Sequence, residues 1–498
     1  MANKVVCPKV FHDLRRFARC LNTAPVVPPM NFTGNYGSTV TTPTLQPTDQ
    51  ILADPEKKVI NFDDVKELFT GVSTLKLIRS SLTLQMASIE SMVDLGVWVM
   101  NSKFMHMPIF KEVILGFVKS TFYEHFCAGK DLIEVRKTVS KLSNVGLKGM
   151  LDYGVEHATE NESCDQSMKV FLQTAELAKS LPSSSVSFVV VKITAICTPK
   201  LLKRMSDLLR WEQKDPSLNL PWKQKTLPLF AKSSPFYHTL KRPEPLTVDE
   251  ERDLQLAHDR LEKICKKCLE LDVELLIDAE DTAIQPAIDY FAYSAAIKYH
   301  KDDYPLIFGT IQAYLKDSKE RMIIAKKAAE KIGVPMGFKL VRGAYMSSEN
   351  ELASSLGFKS PIHDSIQQTH NCYNSCAEFM LDEIANGSGA VVLATHNIES
   401  GKLAASKAID LGIRKDGKKL QFAQLYGMAE GLSFGLRNAG FQVSKYLPFG
   451  PVEQVMPYLI RRAEENRGLL STSAFDRQLM SSLIWQRIAN TNLIGSNF

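Results

Sequence analysis

Two adjacent arginines near the C-terminal end of the chain have the spacing of an anion-binding helix face. The residues Tyr458, Arg461, Arg462 and Glu465 stand at positions i, i+3, i+4 and i+7. At 3.6 residues per turn, all four lie on one face of a helix that begins near Pro457. The forked donors of two guanidinium groups fit a planar carboxylate or a phosphate. The same pattern also suits a solvent-exposed helix with an Arg461–Glu465 ion pair, so the surrounding elements must decide.

The elements that would position this helix are β-strands alternating with helices. Short runs typical of strands occur at 146–153, 186–194, 273–280, 305–312, 337–343, 390–396, 420–426 and 443–447. Several of these runs are continuously apolar, as in strands buried on both faces of a parallel sheet. Eight such units over about 350 residues predict an α/β fold of the (β/α)8 barrel type. An open doubly wound sheet is the alternative.

Polar side chains occur near the carboxyl end of every predicted strand, where barrels bind their ligands. In strand order they are Glu156; Lys192; Asp278 and Glu280; Gln312; Lys339, Arg342 and Tyr345; Thr395, His396 and Asn397; Gln424, next to the apolar Leu425; and Tyr446. Taken alone, each of these residues is as readily explained by an ion pair or a surface position as by a function. Together they form a mouth in which cations are interleaved with carboxylates, and such a mouth suits an anionic ligand.

Composition and motifs argue against several classes of protein. The 498 residues are 45% hydrophobic, and the net charge of +5 is spread without a long basic block, so nothing indicates nucleic-acid binding. The nine cysteines are odd in number and scattered, which predicts free thiols in a reducing compartment. No Rossmann or P-loop motif follows a strand, and His396 is the one histidine at a strand end, so no metal site is expected.

The chain divides into segments of different character. Residues 1–21 are basic and amphipathic, which predicts an organelle transit segment, with a merely basic tail as the alternative. Residues 22–54 are rich in proline and polar residues and predict a disordered linker. A helical arm is expected over 55–144 and the barrel over 145–498, with an inserted helical excursion at 196–245.

The stretch 93–126 is apolar and poor in charge. We expect it to pack on the main domain, and a membrane-facing patch is the second interpretation. No apolar run approaches the roughly 18–20 residues that a membrane-spanning helix needs.

Seven motifs resemble those of the proline dehydrogenase (proline oxidase) family and follow the same order. They are DAE at 278–280, QAY at 312–314, FKLVRGAY at 338–345, ATHN at 394–397, LYGM at 425–428, YLPFG at 446–450 and YLIRRAEEN at 458–466. One motif alone is modest evidence, but the ordered set is specific. The resemblance extends from about residue 70 to the end of the chain, and the sequence is most similar to the plant mitochondrial type.

The resemblance implies a distorted (β/α)8 TIM-type barrel that binds FAD without a Rossmann fold. It implies oxidation of L-proline to Δ1-pyrroline-5-carboxylate, with the electrons passed to a membrane quinone such as ubiquinone. The implied location is the matrix side of the mitochondrial inner membrane, where the protein would be peripherally associated.

The resemblance also implies roles for individual residues. Arg461, Arg462 and Lys192 would hold the proline carboxylate, Asp278 and Glu156 would complete the ion network, and Tyr345, Leu425, Tyr446 and Tyr458 would wall the ring. The flavin would be lined by Gln312, Lys339, Val341, Gly343, Thr395, His396 and Glu465. Of these, Lys192, Asp278, Tyr446, Arg461 and Arg462 are the expected catalytic residues. Bacterial members carry Arg where Lys339 stands and Lys where Arg342 stands.

Two other functions compete with this interpretation. A barrel lyase would use Lys192 as a Schiff-base amine for an anionic carbonyl substrate. A non-catalytic anion-binding scaffold is the third hypothesis. The lyase hypothesis leaves the paired arginines at 461 and 462 unexplained.

Overall fold

The computed structural model describes residues 59–89, 93–94, 96, 98–99, 102, 107–156, 158–468 and 470–495. Side chains within 464–472 and 491–495 are not part of that description. The predictions for residues 1–21 and 22–54 therefore lie outside the described residues, as does the flavin contact predicted for the side chain of Glu465. The barrel belongs to a unit that spans Lys58–Phe498.

Eight parallel strands close into a barrel in chain order, with the last strand paired to the first. The strands are β1 (Lys148–Tyr153), β2 (Val186–Val191), β3 (Leu275–Ile277), β4 (Ile307–Gln312), β5 (Gly337–Val341), β6 (Ala390–Ala394), β7 (Leu420–Leu425) and β8 (Val443–Phe449). The predicted barrel is confirmed, and the open doubly wound sheet is wrong because β1 and β8 are paired along their whole length. Ladder pairing ends before Lys192 and Asp278, which follow β2 and β3 directly.

Helices surround the barrel and precede it. They are α1 (Val65–Leu68), α2 (Thr74–Ala87), α3 (Pro108–Val118), α4 (Glu124–Phe126), α5 (Leu132–Ser143), α6 (Asn161–Ser180), α7 (Pro199–Lys214), α8 (Val248–Leu271), α9 (Gln285–Lys298), α10 (Ser318–Lys331), α11 (Met346–Ser355), α12 (Ile366–Ala385), α13 (Ile398–Asp410), α14 (Glu430–Asn438), α15 (Met456–Gly468) and α16 (Leu470–Gly495). A π-helical turn, Lys119–Tyr123, links α3 to α4. Thr247 and Glu250 form a reciprocal capping box at the start of α8, as their spacing predicts.

Apolar side chains fill the barrel interior below its mouth. They are Met150, Phe188, Val190, Leu276, Phe308, Ala390, Val392, Ala423 and the ring of Tyr446. The rings of Phe188 and Phe308 meet edge to face at 4.8 Å between centroids. Because this layer is solid, the polar groups that follow the strands are confined to the carboxyl end of the barrel.

The segment after β2 is held together by hydrogen bonds to its own backbone carbonyls. It contains α7, and residues 215–247 form turns and extended chain. Lys214 donates to the carbonyl of Thr239 at 2.8 Å, and Arg204 donates to that of Glu244 at 2.9 Å. This segment carries Tyr237 and His238 to the loop that follows β3.

The helices before β1 are tied to the last strand. Tyr123 donates to the carbonyl of Gly450 at 2.7 Å, and the amide of Ala128 donates to that of Pro448 at 2.8 Å. Not all of the apolar stretch 93–126 packs in this way. Tyr123 and Phe126 are buried, but α3 has no buried residue, and its Ile109 is 81% exposed. Among the helices described, none is long and apolar enough to cross a bilayer.

Candidate active site

Lys192 stands at the centre of the barrel mouth with oxygen partners from three other strands. Its Nζ lies 2.8 and 2.9 Å from the carboxylate oxygens of Asp152, 3.0 Å from Tyr446 Oη and 3.4 Å from Asp278 Oδ2. All four side chains are buried. Burial opposes the charge of the ammonium, but the two carboxylates outweigh it and hold the pKa of Lys192 above its usual value. The lysine therefore stays protonated.

Asp278 connects this group to a second buried lysine. Its Oδ2 accepts a hydrogen bond from Tyr446 at 2.6 Å, and its Oδ1 accepts one from Lys339. Burial raises the pKa of the Asp278 carboxyl, but the positive charges of Lys339 and Lys192 lower it by more than burial raises it. The net shift of the pKa is therefore downward. Lys339 Nζ also lies 5.1 Å from the centroid of the Tyr446 ring. The result is an ionised carboxylate held between two cations.

The helix α15 brings Arg461 to a carboxylate at the barrel mouth and buries Arg462 beside it. Arg461 forms a bidentate pair with Glu156, at 2.7 and 3.1 Å, from the loop after β1. The guanidinium of Arg462 is buried and lies 5.0 Å from the centroid of the buried Tyr458 ring. The interpretation of α15 as a solvent-exposed helix is therefore wrong. Arg461 retains 24% exposure, so its outer edge faces the opening.

Several predicted ring-wall residues surround the same space. Tyr345 is half-buried just beyond β5, and the charges of Glu280 and Glu156 help raise the pKa of its hydroxyl after burial itself. Leu425 pairs with Tyr446 across β7 and β8. These positions are brought together as the sequence indicates.

Glu280 is a buried carboxyl on the far side of the mouth. Its oxygens accept hydrogen bonds from Thr194 Oγ1 at 2.9 and 3.0 Å, and its carbonyl accepts one from Gln312 at 2.8 Å. Burial, followed by the charge of Glu156, raises the pKa of Glu280 to about 8. The side chain is protonated at neutral pH in the folded protein, whereas in an unfolded chain it ionises near pH ~4.3.

This raised pKa makes folding stability depend on pH. The native state holds the proton more tightly, so the contribution of Glu280 is fully present below about pH 4.3 and is lost as the pH rises to about 8. We expect the Glu280→Gln variant to gain stability relative to the parent protein between about pH 5 and pH 9. Denaturant unfolding of both proteins across that range measures the difference. A difference that stays constant with pH contradicts the assignment.

The predicted cofactor-binding residues lie beside the network, at the ends of β4, β5 and β6. Gln312, Lys339 and Thr395 are buried, Val341 is half-buried, and Gly343 has φ +130°. A side chain at position 343 would place its Cβ 2.4 Å from the Tyr314 ring, so only glycine fits there.

Arg342 and His396 define the charge at this edge of the barrel. Arg342 donates to His370 Nδ1 at 2.9 Å, to Thr395 Oγ1 at 2.7 Å and to Ser400 Oγ at 2.8 Å. His396 Nε2 accepts from the amide of Leu425 at 3.1 Å. Burial, then the charges of Lys445, Arg462 and Arg342, lower the pKa of His396 to about 3, so the imidazole is neutral.

The donors at this edge fit an anionic cofactor. The three hydrogen bonds described for Arg342 all go to neutral groups, and its guanidinium lies 4.3 Å from the Tyr373 ring centroid. A cation without a carboxylate among these partners, next to hydroxyl groups and a neutral imidazole, suits the phosphates of a dinucleotide. Within the described residues, no group of three His, Cys, Asp or Glu side chains is arranged to hold a metal ion.

Sequence reasoning missed three residues of the site. Asp152 provides the closest carboxylate to Lys192, and His370 and Ser400 support Arg342. A signal for Asp152 was present, since it is a charged residue directly after the apolar run 149–151, just as Lys192 directly follows the apolar strand β2. His370 and Ser400 lie on helices, where nothing in the local pattern separates them from surface residues.

Sequence comparisons identify relatives over most of the chain. The family described as Proline dehydrogenase matches residues 135–475. The chain is 52% identical to "Proline dehydrogenase 2, mitochondrial" of Arabidopsis thaliana over 98% of this chain and 99% of that protein. It is 58% identical to "Proline dehydrogenase 1, mitochondrial" of the same plant over 86% of this chain and 87% of that protein. The mitochondrial location predicted from the sequence is confirmed by these relatives.

More distant comparisons include a relative with a different name and a solved structure with the same fold. A protein named hydroxyproline dehydrogenase from Rattus norvegicus is 31% identical over 74% of this chain and 82% of its own length. The crystal structure of proline utilization A from Bdellovibrio bacteriovorus, inactivated by N-propargylglycine, superimposes with a TM-score of 0.56 at 21% identity. That match covers 81% of this chain and 38% of the bacterial protein, so the chain spans well under half of that length.

Proposed function

The chain belongs to the proline dehydrogenase family, and from that premise we propose that it oxidises L-proline to Δ1-pyrroline-5-carboxylate with FAD as cofactor. This reaction begins proline catabolism. The observation that carries the proposal is the position of α15, whose Arg461 pairs with Glu156 beside the buried network of two lysines and two aspartates and whose Arg462 is buried next to it on the same helix. An amino acid carboxylate is the small ligand that such paired guanidinium groups fit.

In the proposed complex, the substrate carboxylate lies against Arg461 and Arg462, with Lys192 as the third cation. Glu156 holds Arg461 through both nitrogens, which fixes the plane of that guanidinium before substrate arrives. The proline ring is then enclosed by the side chains of Tyr345, Leu425, Tyr446 and Tyr458. When the carboxylate is fixed and the proline ring is enclosed by these side chains, the carbon that is oxidised has one orientation in the site.

The charges around the site also favour the reactive form of the substrate. Proline must lose the proton on its ring nitrogen before the adjacent C–H bond can release a hydride. In the proposed complex, the cations Lys192, Lys339, Arg461 and Arg462 outnumber the carboxylates Asp152, Asp278 and Glu156, and an excess of positive charge lowers the pKa of a nearby ammonium group. The site therefore promotes the neutral amine.

FAD, when bound, supplies the hydride acceptor that no side chain provides. The residues that would hold it are Gln312, Lys339, Val341, Gly343, Thr395, His396 and Glu465. Lys339 would provide positive charge to the cofactor, and neutral His396 could donate a hydrogen bond to it through Nδ1 because Nε2 already accepts from the amide of Leu425. Arg342 and its neutral partners provide the remaining positive charge.

The state of Lys192 argues against the competing lyase. A Schiff-base lysine needs a lowered pKa so that the free amine can attack a carbonyl. Here the pKa of Lys192 is raised by Asp152 and Asp278, which also occupy its ammonium group. The lysine serves as a fixed cation rather than as a nucleophile.

The purified protein tests the function directly. We expect a yellow protein whose flavin absorbance is bleached by L-proline under anaerobic conditions and restored by an external electron acceptor. D-Proline is the control, because its carboxylate and its reacting hydrogen cannot both occupy the same positions. A colourless protein that takes up no FAD, or a flavin that L-proline leaves oxidised, rejects the proposal.

Tyr446 is expected to set the preference between proline and hydroxyproline. In the proposed complex, the Tyr446 ring lies against the proline ring, and its hydroxyl is held by hydrogen bonds with Asp278 and Lys192. The side chain therefore fills the space that the ring hydroxyl of hydroxyproline needs. We expect the Tyr446→Ser variant to change the ratio of kcat/KM for proline and hydroxyproline by about 10-fold toward hydroxyproline. Steady-state kinetics with both substrates measure the ratio, and an unchanged ratio contradicts this role.

The remaining proposals concern the electron acceptor and the arrangement of the chain. We propose that the acceptor is a membrane quinone and that the enzyme works on the matrix side of the inner membrane. We further propose that residues 1–21 are a transit segment, 22–54 a linker, 55–144 a helical arm, and 145–498 the catalytic barrel with its insertion at 196–245.

A further inference from the structure

A buried carboxyl group on the helix after β5 is bonded to the loop after β3. Glu349 belongs to α11 and is 1% exposed. One of its carboxyl oxygens accepts a hydrogen bond from the backbone amide of Thr282 at 2.6 Å, and the other accepts one from the Thr282 hydroxyl. We call these two hydrogen bonds the Thr282–Glu349 contact. The contact joins α11 to the loop that also carries Asp278 and Glu280.

The Thr282 side of this contact is fixed by the segment after β2. His238 Nε2 lies 2.9 Å from the Thr282 hydroxyl oxygen. Burial lowers the pKa of His238 to about 3, so its ring is neutral and carries one N–H. Since the Thr282 hydroxyl donates to Glu349, the imidazole donates to that hydroxyl, and the three groups form one chain of hydrogen bonds. Arg210 holds the loop itself by donating to the carbonyls of Thr282 and Ala283.

The Glu349 side of the contact fixes the first turn of α11, which starts at Tyr345. The amide of Glu349 donates to the Tyr345 carbonyl at 3.0 Å, which is the hydrogen bond that closes this turn. The side chain of Tyr345, the N-cap residue, makes no capping hydrogen bond. A buried anchor at position 349 therefore sets the position of the backbone at Tyr345.

Tyr345 is the residue through which α11 reaches the barrel mouth. Its hydroxyl is close enough to Glu280 and Glu156 for their charges, after burial, to raise its pKa. In the proposed complex, the Tyr345 ring encloses part of the proline ring. The hydrogen bonds described for the Glu349 side chain go to Thr282. An effect of Glu349 on substrate binding therefore passes through the turn that starts at Tyr345.

We propose that Glu349 is a positioning residue for the substrate site: its contact with Thr282 holds the first turn of α11 so that Tyr345 lies against the proline ring. The inference rests on the proposed function, which assigns Tyr345 to that ring. Loss of the contact leaves the side chains assigned to the substrate carboxylate unchanged and frees Tyr345 to move. The expected result is weaker binding of proline with little change in the rate of the bound complex.

Steady-state kinetics of full-length variants test this role. We expect Glu349→Ala to raise KM for L-proline by about 10-fold, with kcat within about two-fold, because the amide and hydroxyl of Thr282 lose their acceptor. Glu349→Gln keeps the shape and an acceptor for the amide, so its KM should stay within about two-fold of the parent value. Glu351→Ala is the matched control, since that side chain is exposed on the same helix. A KM of Glu349→Ala equal to that of Glu351→Ala rejects the proposal.

A double-mutant cycle separates the positioning of Tyr345 from a general loss of structure. In a Tyr345→Ala background, Glu349→Ala should change KM by less than about two-fold, because the side chain that it positions is absent. An equal increase of KM in both backgrounds rejects the link to Tyr345. Thr282→Val removes the hydroxyl and keeps the backbone amide, so it breaks half of the contact in a protein of nearly unchanged shape. Its KM should rise about three-fold in the parent background alone, and an unchanged KM there also rejects the proposal.

Hydrogen exchange tests the contact without substrate and separates this inference from the proposed function. We expect amides of residues 349–353 to exchange at least about 10-fold faster in Glu349→Ala than in the parent protein and in Glu351→Ala. Equal exchange in the three proteins shows that the contact does not anchor this turn, and it rejects the proposal. If the parent protein does not oxidise proline, the proposed function fails and the role in substrate binding fails with it. If the parent oxidises proline and KM does not respond to Glu349→Ala, the positioning role alone is wrong.

Discussion

The Arg461→Met variant is expected to show a KM for L-proline raised by about 100-fold or more. The change removes one guanidinium from the proposed carboxylate site and leaves Glu156 without its bidentate partner. Loss of one member of a buried or partly buried ion pair, here Arg461 with the proline carboxylate, costs on the order of 3 kcal/mol. That free energy corresponds to roughly a 100-fold loss of affinity for proline. Because the flavin residues are untouched, the FAD content should match that of the parent protein. Steady-state kinetics and the absorbance spectrum of the purified variant provide both measurements.

A matched control separates the local effect from a general loss of positive charge. Arg414 has the same charge, but its side chain is 81% exposed and pairs with Asp416 on the surface. Arg414→Met should leave KM within about two-fold, as expected for an exposed pair. The assignment of Arg461 is wrong if both variants have similar kinetics, or if Arg461→Met binds proline normally while retaining its flavin.

Replacing Lys192 with Met is expected to destabilise the fold as well as abolish proline oxidation. The variant leaves Asp152 and Asp278 buried without the ammonium group between them. Breaking a buried ion pair from one side costs about 3–5 kcal/mol, because the remaining charge is desolvated without compensation. Lys339 still partners Asp278, so Asp152 bears most of the penalty. Denaturant unfolding measures the change in the free energy of unfolding.

The double variant Lys192→Met/Asp152→Asn identifies the source of that cost. Removing the stranded carboxylate should recover a large part of the lost stability without restoring catalysis. A surface control is Lys402→Met, whose side chain is 42% exposed and pairs with Glu399, and which should change stability by less than about 1 kcal/mol. Failure of the double variant to recover stability refutes the account of Asp152.

The sequence predicted the barrel because eight strand-length apolar runs alternate with helical stretches, and each run is a local property of the sequence. It also singled out Lys192 and Arg461 as candidate site residues. Lys192 is a charged residue in an apolar run, and Arg461 is next to a second arginine, so both can be recognised from the local sequence. The exact ends of the strands were not visible. The predicted strand 273–280 shortens to Leu275–Ile277, since ladder pairing stops where the chain turns to bring Asp278 towards Lys339 and Tyr446.

Pairings across the barrel mouth could not be predicted from local pattern. Arg461 has Glu465 at a suitable helical spacing, yet it binds Glu156, which is 305 residues away in the chain. In the sequence, Asp152 is a single carboxylate at the end of an apolar run. Only the pairing of β1 with β2 places Lys192 beside it. In both cases the deciding partner is set by closure of the sheet, which no window of sequence contains.

The closed pairing of β1 with β8 has a consequence for how the protein is made. Tyr446 contributes to the group around Lys192 from 254 residues further along the chain, and Tyr123 bonds to Gly450 across 327 residues. Contacts of such high sequence separation slow folding, because a long loop must be closed before they can form. Until β8 is in place, β1 and β7 remain open edges that can pair with other chains. Insertion of β8 between β7 and β1 both completes the group around Lys192 and covers these two edges, and we expect a ligand that fills the site to stabilise the closed barrel.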